Sequence, residues 1–112
     1  MSSPSTTSAR SRLCLSSTAT IAAHLAYLDT ISRWLADRGI PQADATRYVA
    51  AVFGALGGTL RATQPNDFRA LADEYATAGG TNEQFLTALR RAGTFDIVDR
   101  ALDDVAHRLK GE

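Results

Sequence analysis

The chain has 112 residues, 45% of them hydrophobic, which suffices for one domain with a core, and 12 basic side chains balance 12 acidic ones for a formal net charge of +0. No run of lysine or arginine marks it for nucleic acid, and no apolar run approaches the roughly 20 residues that a bilayer requires, so neither nucleic acid nor membrane is an expected partner. Cys14 is the single cysteine, which excludes an intramolecular disulfide and a cysteine-rich zinc site, and with no apolar leader at the N-terminus the expected compartment is the cytoplasm.

Alanine, leucine and arginine are abundant, and valine and isoleucine are sparse. That balance favours helix over sheet, so the expected fold is all-α, with about five helices, two long and three shorter. Residues 1–17, MSSPSTTSARSRLCLSS, are rich in serine and threonine and read as a mobile tail. The helical domain is expected over 18–112.

The spacing over 18–38 predicts the first long helix. Ile21, Leu25, Leu28, Ile31 and Leu35 recur every three or four residues and share one face. Thr18 or Thr20 is placed to cap its start. Gly39 followed by Pro41 stops it, because glycine accepts the left-handed cap and proline cannot continue a helix.

The second long helix is expected over 42–62. Between Arg47 and Arg61 it carries no charged side chain. Val49, Val52, Phe53, Leu56 and Leu60 make one apolar face, and alanines with Gly54, Gly57 and Gly58 make much of the rest. A helix apolar all round is buried on all sides. In a chain this small, that points to a partner subunit, with the glycines allowing backbones to approach closely. An ordinary central core helix of poor propensity is the alternative.

A turn at Pro65-Asn66-Asp67 leads to a short helix over 67–75, with Phe68, Leu71 and Tyr75 on one face. A joint of two glycines follows. The fourth helix is expected over 81–92 and ends at Gly93. The fifth is expected over 95–110, with Phe95, Val98, Leu102, Val105 and Leu109 inward and Asp96, Asp99, Asp103, Asp104, Arg100 and Arg108 on its wet face.

The joint, YATAGGTNEQF at 75–85, is flexible and rich in donors. Gly79 and Gly80 permit backbone angles closed to other residues. Thr81 and Gln84 fit the capping-box pattern, and the free amides of the helix start carry partial positive charge that suits a carboxylate or phosphate. Glu83 in the first turn stabilises the empty helix and opposes an anion. By pattern alone a structural connector is the commoner reading of such a joint.

No other catalytic set is present in the sequence. His24 and His107 are isolated and lack metal-ligand spacing, so no metal site is expected. Cys14 has no local histidine to activate it. No glycine-rich loop follows a strand, so no dinucleotide-binding unit is expected.

The stretch ATAGGTNEQFLTALRRAGTFDIVDRALDDVAHRL resembles the end of the pyrroline-5-carboxylate reductase family, whose members carry Ser-Pro-Gly-Gly-Thr-Thr at a helix start, then a glycine and a final helix. Gly79, Gly80 and Thr81 match. Thr77 and Ala78 stand at the Ser-Pro positions, and Asn82 replaces the second threonine. Upstream, WLADRGIPQADATRYVAAVFGAL is similar to the family's two long helices joined through Gly-Leu-Pro. The resemblance covers about residues 17–110.

It implies an interlocked helical dimerisation domain and therefore a homodimer. It implies a small carboxylate substrate held by the backbone amides of Gly80, Thr81 and Asn82, beside Gly79, with the Asn82 side chain approaching the ring nitrogen. In the complete family enzyme NAD(P)H sits on a preceding nucleotide domain and reduces a cyclic imine to an amino acid such as proline. That domain is expected to be missing here, so this chain should hold no cofactor, carry no catalytic residue and show little or no activity alone. A non-catalytic helical homodimerisation module is the alternative.

Overall fold

The computed structural model describes residues 4–111. It contains six helices and, among the described residues, no strand: α1 (Pro4–Thr18), α2 (Ile21–Ala36), α3 (Gln42–Ala62), α4 (Phe68–Tyr75), α5 (Thr81–Arg91) and α6 (Thr94–Gly111). The all-α expectation holds, and the five expected helices are α2 to α6. They form two compact units, one made of α2 and α3 and the other of α1 with α4, α5 and α6.

Of the tail expected over 1–17, residues 1–3 lie outside the described residues, and from Pro4 the chain is helical as α1. Near its end three hydroxyls return to the backbone, as helical serines and threonines can. Ser16 donates to the Arg12 carbonyl at 2.7 Å, Ser17 to Cys14 at 2.6 Å and Thr18 to Leu15 at 2.6 Å. Pro4 at the first helical position removes a donor that would have no helical acceptor there. The helix packs on α6 and Ser16 is buried, so tertiary cover overrides a weak propensity. Thr18 therefore belongs to α1, and the Thr20 hydroxyl donates back to Ser17 at 2.8 Å rather than capping α2.

The α2–α3 unit is an antiparallel hairpin. Gly39 sits at φ +104, and its amide and that of Ile40 close the end of α2 onto the Ala36 and Leu35 carbonyls. Pro41 then starts α3 by offering its carbonyl to Ala45 at 2.9 Å. Arg38 finishes the α2 terminus, with its guanidinium 4.0 Å over the Trp34 ring and one N–H on the Trp34 carbonyl at 3.1 Å.

The core of this unit lies at its closed end. On α3 Ala45 is 0% and Val49 4% exposed, and on α2 Ser32 is buried and Leu35 half-buried. Ser32 keeps its hydroxyl satisfied on the Asp29 carbonyl and receives the Gln42 amide at 3.4 Å. Towards the open end the apolar face loses its cover: Ile21 is 59% and Leu25 60% exposed, and Val52 and Leu56 are exposed opposite. The expected single inward face of α2 is thus inward only over its second half.

In the other unit, α6 packs on α1 and on α5. Leu102 and Val105 are half-buried, but Phe95, Val98 and Leu109 are exposed, which corrects the expectation that all five point inward. Phe68, Tyr75 and Phe85 are also exposed. The apolar faces read from periodicity are thus covered only in part within a single chain.

Candidate functional site

The glycine joint between α4 and α5 is a tight turn. The Gly80 amide donates to the Thr77 carbonyl at 2.9 Å, closing residues 77–80. Gly79, third in this turn, has φ +78, a position that favours glycine as in type II turns. Gly80 is the N-cap of α5, in extended conformation with φ −87 and ψ 170. A Cβ at Gly80 would stand 3.1 Å from the Thr77 carbonyl oxygen, so the turn also limits side-chain bulk there.

The expected capping box of Thr81 and Gln84 does not form. Gly80 takes the N-cap, which has no side-chain hydrogen bond, and Thr81 becomes the first helical residue. Gln84 contributes its backbone amide, donated to the Gly80 carbonyl at 3.1 Å. The carboxylate that reaches back is that of Glu83, which accepts the Gly79 amide at 2.9 Å. Glu83 stands at the third helical position, where a capping box has its acid, but it bonds the residue before the N-cap, and its charge sits favourably against the positive end of the helix.

The four residues singled out by resemblance are therefore adjacent but not equivalent. The amides of Gly79 and Gly80 are engaged by Glu83 and Thr77. Those of Thr81 and Asn82, at the first two helical positions, have no acceptor among the described residues. Thr81 and Asn82 are exposed, and Gly80 is half-buried. The arrangement can offer two converging backbone donors to an anion, with the Glu83 carboxylate next to them. Thr77, noted in the sequence only as standing at the family's serine position, supplies the carbonyl that closes the turn.

Other candidates remain apart. Cys14 and His107 are exposed, and no group of three or more metal-ligating side chains occurs among the described residues. No helix among them is long and apolar enough to cross a membrane. Gly54, Gly57 and Gly58 lie inside α3.

The second surface of interest is α3 itself. Cβ atoms built at Gly54, Gly57 or Gly58 would meet nothing within 4 Å, so these glycines are not required by packing inside the chain. They form a smooth, charge-free strip beside exposed Val52 and Leu56. Such a strip allows close approach of another backbone.

A family model described as pyrroline-5-carboxylate reductase dimerisation matches residues 8–111. The match takes in most of α1, which had been expected to lie outside the domain. Nothing among the curated proteins or the solved structures matches the chain.

Proposed function

The chain belongs to the pyrroline-5-carboxylate reductase dimerisation family, and from that premise we propose that it forms a homodimer and supplies the substrate side of an NAD(P)H-dependent oxidoreductase that reduces a cyclic imine to an amino acid of the proline type. The observation that carries this reading is the family match over 8–111, which spans both the open glycine strip of α3 and the joint before α5. The chain's own part is to pair two subunits and to hold a carboxylate at the Thr81 and Asn82 amides. On this reading the exposed Asn82 side chain approaches the substrate's nitrogen. The described residues do not hold the dinucleotide, and no chemical step is assigned to them.

Titration of isotope-labelled chain with proline, and with a cyclic carboxylate lacking the amine, tests the site. The Thr81 and Asn82 amide resonances should move most, with millimolar affinity at best, about −4 kcal/mol. Resonances that stay fixed while the helices remain intact would remove the carboxylate site.

A second reading, a homodimerisation module without catalysis, is favoured by one feature of the joint. Gly79 and Gly80 are already satisfied within the chain, as a plain connector would be. On that reading the titration is silent and the dimer persists.

A further inference from the structure

We infer that folding and dimerisation of this chain are one event, in which a second copy covers apolar faces in both units and no folded monomer exists; this rests on the homodimer reading above. Among the described residues the only buried apolar side chains are Ala45 and Val49, both in the α2–α3 unit, and no large side chain is fully buried. The unit of α1, α4, α5 and α6 buries no apolar side chain among them. Ordering the backbone of one residue costs about 1–2 kcal/mol, and burial of apolar surface is the main term that offsets it. A hairpin closed on two small residues, beside a unit with no buried apolar side chain, leaves that cost unmet within one chain.

The accessible surface measures what is missing. The chain exposes 9100 Å². A compact protein of its mass, 12.0 kDa, would expose about 6,000 Å², and even two separate compact units of half that mass would expose about 7,000 Å² between them. The excess is therefore about 2,000 Å² per chain when each unit is counted by itself. Two chains that remove this excess from water together bury about 4,000 Å², inside the range of obligate dimers and far above the roughly 1,600 Å² of partners that fold alone. The exposed apolar side chains lie in both units, at Ile21, Leu25 and Val52 in one and at Phe85, Phe95 and Ile97 in the other. A second copy fits them. It supplies the same excess and loses it in the same contact, it meets no like charge along α3 from Tyr48 to Leu60, and the matched family model is one of dimerisation.

Circular dichroism and sedimentation equilibrium on the whole chain, followed through urea at two protein concentrations tenfold apart, test this. Helix signal and dimer mass should be lost together. The urea midpoint should rise by about 0.5 M at the higher concentration, since tenfold in association is about 1.4 kcal/mol and the urea slope is about 3 kcal/mol per molar. Phe85→Ser and Phe95→Ser change rings that are exposed in the single chain, so a lone folded chain would barely register them. Covered by a second copy, each should raise the dissociation constant about tenfold or more. A dimer that separates, on dilution or in mild urea, into monomers of unchanged helix content overturns the inference alone, as do two Phe variants that both stay within about twofold of the parent. A parent that is helical and monomeric at every concentration overturns the homodimer, and this inference with it.

Discussion

The Glu83 carboxylate accepts the backbone amide of Gly79 at 2.9 Å, tying the first turn of α5 to the joint that precedes it. This contact fixes the joint and also places a negative charge where an incoming carboxylate would approach. Glu83→Ala should lower stability by about 0.5–1 kcal/mol in urea denaturation, as for loss of a helix cap. The same variant should enlarge the amide shifts of Thr81 and Asn82 on titration with proline. Smaller shifts would show that Glu83 organises the donors more than it competes for them.

Gly79 holds its turn at φ +78 with open space around its missing Cβ. The cost of a side chain there is conformational rather than steric. Gly79→Ala should destabilise by about 1–2 kcal/mol, read as a lower denaturation midpoint with an unchanged slope. No change in midpoint would mean that the joint relaxes freely to another turn.

At Gly57 the two states of association should respond in opposite directions. Nothing lies within 4 Å of a Cβ built there, so the separated chain has room for a larger residue. Gly57→Leu should add helix propensity worth up to about 1 kcal/mol in the separated chain. It should also weaken the dimer by preventing close backbone approach. Sedimentation that finds Gly57→Leu as dimeric as the parent would move the interface away from this part of α3.

The closed end of the hairpin depends on two small residues, Ala45 and Val49, at 0% and 4% exposure. Val49→Ala should cost about 1–3 kcal/mol and Ala45→Leu a similar amount, the first by leaving a cavity and the second by overpacking against α2. The comparison requires one fixed protein concentration, since association adds to apparent stability. Losses below about 0.5 kcal/mol for both would mean that this contact is not the core of the unit.

The sequence by itself determined the class and most of the helix boundaries, because those depend on local signals. Gly39 and Gly93 adopt the positive φ that their positions after helical stretches implied, and α3 spans the predicted residues 42–62. The charge-free stretch between Arg47 and Arg61 was equally legible, since one apolar helix in a small chain calls for outside cover. The joint was legible as a glycine turn at a helix start. Its wiring was not: Gly80 rather than Thr81 became the N-cap, and Glu83 rather than Gln84 reached back. The turn closed by the Thr77 carbonyl sets which residue caps, and capping patterns one residue out of register look alike in sequence. Only tertiary structure decided α1, because its serine-rich surface has weak propensity and becomes a helix through packing on α6 and hydroxyl bonds to its own carbonyls. Only tertiary structure, too, decided which part of each apolar face is covered. Periodicity reports that Ile21 and Leu35 share a face, but position along the hairpin leaves one at 59% exposure and the other half-buried.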